Sequence, residues 1–205
     1  DGEGRPVRIV IRSPEIQDAA PLEICDSVQD LVLSPADEND AWYRDKIAGL
    51  RSLAAVRRMP LRKLNVSYTL IDDLKPLAVP NSRLVVLNLR RTGVSDLSPL
   101  LPCPIEELIL SGTEVKSLHA LRGKNLRRLE INGLKVNDLS PLSGKPLRVL
   151  EAGQTSVRDL NPLRNMPLVR LNLAEIGAFD FGALKTLTLI EDLDVSGTQF
   201  KDLTL

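Results

Sequence analysis

The sequence has few of the residues from which chemical sites and large aromatic cores are built. Its 205 residues include six aromatic residues, two Cys and one His. An enzyme needs a constellation of titratable or nucleophilic side chains in a cleft, and these residues do not supply one. Two Cys are also too few for a disulfide framework. We therefore predict no catalytic residue, no metal site, no cofactor and no enzyme activity.

Excess charge of one sign and long hydrophobic runs are missing as well. The 27 Lys and Arg residues balance 27 Asp and Glu residues, whereas nucleic-acid-binding proteins usually carry a basic excess. No run approaches the roughly 18–20 apolar residues of a membrane helix. We expect neither a nucleic-acid partner nor membrane insertion of this segment.

Leucine is abundant, and it recurs in a strong internal repeat. Of the 205 residues, 38 are Leu, and self-similarity at a fixed period is the signature of a repeat protein. The segment LRVLEAGQTSVRDLNPL, which starts at Leu147, has equivalents along the chain. Nine copies start near residues 6, 28, 61, 84, 105, 126, 147, 168 and 190. Residues 1–205 are thus predicted to form a single domain of about nine repeats, with a helical insertion at about 37–58 in the second.

Each repeat predicts one short strand and one tight turn. In the pattern L-x-x-L-x-L the last two leucines are two residues apart, so they point to the same face of a strand. The DLSPL segment that follows places an Asp where it can accept backbone N–H groups of a short helical turn, with Pro early in that turn. A unit of about 21 residues buries its leucines only by stacking on its neighbours. The predicted fold is an α/β solenoid, mostly β with short helical or 3-10 turns, in which a leucine-rich-repeat array forms a concave parallel sheet.

The repeats resemble the short bacterial class of leucine-rich repeats. The DLSPL segment and the period of 21–22 residues are similar to internalin-type repeats. Thr replaces the usual Asn in the turn, and M-P-L or K-P-L precedes several strands, as at Met59, Lys145 and Met166; these features also resemble repeats attached to bacterial serine/threonine protein kinases. The resemblance implies the fold and a binding role for the concave sheet. It favours a bacterial cell-surface or secreted protein over a cytoplasmic one.

The concave face is predicted to carry charge of different sign in its two halves. Residues two, four and six after each repeat start point away from the core, and the seventh ends the strand. The first four repeats place five basic residues and one acidic residue there, and the last five place two basic and six acidic residues. Mixed surface charge that only solubilises the sheet is the alternative. The candidate partner-binding residues on this face are Lys63, Asn65, Tyr68, Asn88, Arg90, Glu130, Glu151 and Arg170.

The insertion is the second candidate surface. Residues 37–58 contain the only Trp of the sequence, Trp42, beside Tyr43, and Tyr43, Ile47, Leu50 and Leu53 recur at helical spacing. The segment is expected either to pack a helix on the flank of the solenoid or to present Trp42 and Tyr43 to a partner.

Two functions remain open from the sequence. The first is a non-catalytic protein–protein interaction module that binds a protein partner of unknown identity through the concave sheet and its rim. The second is a structural spacer or presentation domain in a larger bacterial surface or kinase-linked protein. Few residues flank the array. We therefore also expect that its uncapped ends can self-associate.

Overall fold

Short parallel strands are the main regular structure of the protein. The computed structural model describes residues 7–13, 15–23, 25, 27–35, 48–178 and 180–201. Within these ranges there are nine strands, one at the start of each predicted repeat, and the helical segments are short 3-10 turns. The chain divides into two compact units, Asp1–Ile105 and Glu106–Leu205.

The first unit contains four strands: β1 (Val7–Ile11), β2 (Val28–Leu33), β3 (Lys63–Asn65) and β4 (Val86–Asn88). They are parallel and lie side by side in chain order. The register pairs Leu31 with Leu64 and Leu64 with Leu87. Each of these leucines is the third residue after a repeat start, so the sequence repeat sets the register.

The second unit contains five strands: β5 (Glu107–Ile109), β6 (Arg128–Glu130), β7 (Val149–Glu151), β8 (Arg170–Asn172) and β9 (Asp192–Asp194). They are also parallel and in chain order. The same repeat position is aligned throughout, from Leu108 through Leu129, Leu150 and Leu171 to Leu193. The predicted leucine-rich-repeat fold is confirmed.

The core of each unit is made of stacked leucines rather than aromatic rings. Leu64 and Leu87 in the first unit, and Leu108, Leu129 and Leu150 in the second, are at most 1% exposed. Burying one such side chain is worth about 1.5–3 kcal/mol. Because the same position is filled in successive repeats, a sequence poor in aromatics still forms a continuous core.

A left-handed residue turns the chain after the strand in seven successive repeats. The seventh residue after each of the starts from Leu61 to Ile190 has a positive φ. The residues are Tyr68, Arg91, Gly112, Gly133, Gln154, Glu175 and Gly197. The Thr that follows usually closes the turn: Thr155 Oγ1 donates to the carbonyl of Ala152 at 2.8 Å. The Thr69, Thr92 and Thr198 hydroxyls donate likewise to the residue three before them.

The Asp of the DLSPL segment holds the 3-10 turn on the far side of the repeat. Asp96 Oδ1 accepts the N–H of Ser98 at 2.8 Å, two residues along, and Asp138 Oδ1 accepts that of Ser140 at 2.7 Å. Each Asp lies one residue before the N-cap Leu, so it forms an Asx-type turn instead of occupying the cap itself. The predicted bond is present, one residue earlier than a true cap. Asp202, predicted to act in the same way, lies outside the described residues. The described 3-10 turns are Ala20–Leu22, Ala54–Val56, Lys75–Leu77, Ser98–Leu100, His119–Leu121, Ser140–Leu142, Asn161–Leu163 and Leu184–Thr186.

The described part of the predicted helical insertion, residues 48–58, continues the repeat. Ala48 pairs with Thr69 in an isolated parallel bridge, and Ala54–Val56 form a 3-10 turn. Ser52 Oγ accepts the N–H of Ala54, as Asp73 does for Lys75 one repeat later. The spacing of Leu50 and Leu53 therefore reflects the repeat and not an α-helix. Residues 36–47 lie outside the described residues.

Both cysteines are free thiols. Cys103 is buried, and Cys25 is half-buried. Within the described ranges, no helix has the length and apolar character needed to cross a membrane, and no group of three or more His, Cys, Asp or Glu side chains could hold a metal ion.

Candidate binding surfaces

The sheet face of the first unit combines an exposed lysine with side chains that serve the turns. We call the side chains two, four, six and seven residues after each repeat start the sheet face. Lys63 is exposed, and its ammonium group has no ion pair or hydrogen bond with any described residue. Asn65 Oδ1 accepts the N–H of Ser67 at 2.9 Å. Lys63 is thus available to a partner, whereas Asn65 also has a structural task.

Tyr68 is the aromatic centre of this face. It is half-buried in the left-handed conformation, with φ 58°. The guanidinium carbon of Arg91 lies 5.8 Å from its ring centroid, within the range of a cation–π contact. Tyrosine and arginine are the residue types that most often anchor protein interfaces.

Asn88 and Arg90 are less accessible than their sequence positions predict. Asn88 is only 4% exposed, because Asn88 Oδ1 bonds to the N–H of Arg90 at 3.0 Å and so holds the end of β4. Arg90 itself is half-buried. At the N-terminal side of the same unit, the Arg8 guanidinium lies 3.2 Å from the Asp30 carboxylate, which neutralises one of the basic residues predicted to face a partner.

Arginine–carboxylate pairs occupy part of the sheet face of the second unit. Arg128 Nε donates to Glu130 Oε1 at 3.0 Å, and Glu130 is only 3% exposed. Arg170 Nε lies 2.8 Å from Asp192 Oδ2 on the neighbouring strand. Both basic residues of this face are therefore paired, so Glu130 and Arg170 are less available than predicted.

Glu151 lies next to Glu130 in register and retains accessible surface. Burial raises the pKa of Glu151, and the charge of Glu130 raises it further, while a hydrogen bond from Asn172 acts in the opposite direction. Although burial opposes it, the pKa of Arg128 is raised, because Glu130 bonds to it and Glu107 and Glu151 lie nearby. The arginines do not neutralise all the acids of this face.

The charge predicted from the repeat positions is therefore partly cancelled within each unit. In the second unit, Glu107, Glu151 and Asp194 have no ion pair with any described basic residue. Small residues end the strands beside these acids. The space around the Cβ position of Gly133 is open within 4 Å, so a partner can approach the backbone. Sequence reasoning missed Asn172, whose amide bonds to Glu151.

The second predicted surface is the insertion with its two aromatic residues. Trp42 and Tyr43 lie outside the described residues, and their role as partner contacts stays a prediction.

A third feature, absent from the sequence-based candidates, is a basic cavity in the first unit. It has a volume of about 240 Å³ and lies beside the segments that lead into β3 and β4. Arg57, Arg58 and Arg83 are among its lining residues. The signal in the sequence is the spacing of 23 residues between the repeat starts at Leu61 and Leu84, against 21 for the next repeats. The extra length falls in the loop 78–83.

The structure is similar to solved bacterial leucine-rich-repeat proteins. An internalin C2 from Listeria monocytogenes superposes with a TM-score of 0.78 at 20% identity, covering 91% of this chain and 79% of that protein. An internalin F from the same organism gives 0.69 at 19% identity, covering 97% and 69%. A leucine-rich-repeat protein from Leptospira interrogans gives 0.65 at 14% identity, covering 93% and 55%.

Sequence comparison adds no closer relationship. Protein-family models and curated proteins give no match to this chain. At identities of 20% or less, the structural similarity concerns the fold. The chain therefore has the leucine-rich-repeat fold of the bacterial internalins that its repeats resemble.

Proposed function

We propose that this chain is a non-catalytic protein-interaction module that binds a protein partner through its sheet face and rim. The observation that carries the proposal is the presence of charged side chains on the sheet face that form no ion pair with any described residue. They are Lys63 in the first unit, and Glu107, Glu151 and Asp194 in the second. The resemblance to internalin-type repeats supports a location at the surface of a bacterium or outside it.

The two units favour partner segments of opposite charge. In the first unit, Lys63 and the Arg91–Tyr68 pair suit an acidic segment with an exposed backbone or aromatic group. In the second unit, the excess of carboxylates suits a Lys- or Arg-rich segment. Complementary charge mainly increases the association rate and selects the partner, and it contributes less to affinity.

A capture experiment with matched charge reversals tests the proposal. The bait is the whole chain, and captured proteins are identified by mass spectrometry. In the first unit, Lys63→Glu on the sheet face is compared with Lys75→Glu, an exposed residue of the 3-10 turn on the far side of the repeat. In the second unit, Glu107→Lys combined with Glu151→Lys is compared with Glu114→Lys, which is also exposed and outside the face.

We expect the sheet-face variants to reduce capture of a partner by about tenfold or more, and the controls to reduce it little. Retention of every partner by both sheet-face variants would refute binding through this face. If the unmodified chain captures no protein under any condition tested, the spacer function is favoured instead.

A further inference from the structure

The basic cavity of the first unit combines a buried apolar floor with a charged rim. Val56, Leu61, Leu77 and Leu84 line it, and each is at most 5% exposed. These are core side chains whose edges form the base of the cavity. The loop 78–83, which holds Asn81 in the left-handed conformation with φ 58°, forms one wall. The floor can therefore accept an apolar group without any change in the core.

The rim carries three arginines, and none of them has an ion pair within the part of the chain that the structure describes. Arg57, Arg58 and Arg83 are exposed, and their guanidinium groups have no ion pair or hydrogen bond with any described residue. None of the residues that line the cavity is Asp or Glu. A neighbouring groove is lined by Arg57 and Arg58 and also by Glu23. Three arginines along one cavity give it a local positive charge, which favours a bound anion.

From this arrangement we propose that the cavity is a binding site for a small organic anion, in which a carboxylate or phosphate group is carried on an apolar body. Guanidinium groups bind both anions through paired N–H donors. The volume of about 240 Å³ is below the 300–1,000 Å³ typical of pockets for drug-sized ligands. A single ring or a short branched chain fills it. This site lies beside the segments leading into β3 and β4, and it is separate from the sheet face proposed to bind proteins.

Four probes separate the contributions of charge and apolar surface. The probes are phenyl phosphate, benzoate, inorganic phosphate and the neutral benzyl alcohol, each added to the ¹⁵N-labelled protein and followed by NMR. We expect phenyl phosphate and benzoate to shift the amide signals of the segments 56–61 and 77–84. Inorganic phosphate should bind about tenfold more weakly than phenyl phosphate, because it does not cover the floor. Benzyl alcohol should bind more weakly still.

Substitutions of the exposed arginines test the charge requirement without altering the core. Arg58→Gln combined with Arg83→Gln should weaken binding of phenyl phosphate by about tenfold or more, since each charge-assisted hydrogen bond is worth this order of affinity. Arg148→Gln, an exposed arginine of the second unit, is the control and should leave binding unchanged.

Three results would overturn the proposal. The first is the absence of any shift in these two segments with either organic anion. The second is benzyl alcohol or inorganic phosphate binding as tightly as phenyl phosphate. The third is equal weakening by the control and by the double variant, which would indicate nonspecific attraction.

Discussion

The repeats differ in whether the Thr hydroxyl of the turn has a hydrogen-bond partner. The Thr155 hydroxyl is bonded to a backbone carbonyl at 2.8 Å. Thr113 occupies the same position two repeats earlier, is 8% exposed, and its hydroxyl has no hydrogen-bond partner among the described residues. A buried hydroxyl without a partner costs free energy, whereas a satisfied one contributes about 1 kcal/mol.

Substituting each Thr by Val separates these two situations. We expect Thr155→Val to lower the free energy of unfolding by about 1 kcal/mol, and Thr113→Val to leave it unchanged or raise it. Urea unfolding monitored by circular dichroism measures both. Equal destabilisation of the two variants would show that the Thr113 hydroxyl has a partner that stabilises the fold.

The raised pKa of Glu151 makes stability fall as pH rises. Its native state holds the proton more tightly than the unfolded state, so this residue contributes most stability below its ordinary pKa of 4.5. That contribution is lost as pH rises through the higher native value. Relative to the unmodified protein, Glu151→Gln should therefore gain stability as pH rises above 4.5.

For Asp138, the contribution to stability changes with pH in the opposite direction. Backbone and side-chain hydrogen bonds from Ser140 lower the pKa of Asp138 below 3.8, so its contribution is present above that pH and is lost as pH falls through the native value. The stability deficit of Asp138→Ala should shrink in acid. Urea unfolding at several pH values measures both trends, and parallel pH profiles for the two variants would contradict them.

At the scale of the element, the strand and the turn differed in how well they could be predicted. The Leu spacing gave the strand positions and the register because burial requires one fixed face. The left-handed residue after each strand was not predicted, because Gly, Tyr, Arg, Gln and Glu all occupy it. Its conformation is set by the stacked backbone. In the same way, Glu130 lies on the predicted face but is buried, since the pattern cannot show that Arg128 bonds to it.

The left-handed conformation at Gly133, after β6, predicts a loss of stability when a side chain is added there. Gly133 has φ 75°, and a Cβ there would meet nothing within 4 Å, so only the backbone conformation opposes a side chain. Gly133→Ala should cost about 1 kcal/mol. Gly177→Ala is the control, since a Cβ at Gly177 makes only ordinary contacts at 3.8 Å or more and its φ is not positive. Thermal unfolding compares the two. A Gly133→Ala variant as stable as the control would mean that the turn relaxes.

At the scale of the whole molecule, the two units share one feature: within each unit, the strands pair with their immediate neighbours in sequence order. Within the second unit, β6 pairs with β5 and β7, and β9 pairs with β8. The single-domain prediction for residues 1–205 stays a prediction. Although the net charge of the sequence is zero, charge is unevenly distributed within each unit. Carboxylates exceed arginines on the sheet face of the second unit. Three arginines line one cavity of the first unit.

Because each strand pairs with its immediate neighbours, we expect a substitution in the core to destabilise mainly the adjacent repeats. Leu129 is fully buried at the centre of β6, and Leu129→Ala should cost about 2–5 kcal/mol. In a repeat array this cost falls mainly on the adjacent repeats. Native-state hydrogen exchange should therefore accelerate in β5, β6 and β7 more than in β9. Leu189→Ala, at a residue that is 54% exposed, controls for the loss of a leucine and should change exchange little. If Leu129→Ala accelerates exchange in β9 as much as in β5 and β7, the second unit unfolds as one cooperative block, and its stability is not a sum over neighbouring repeats.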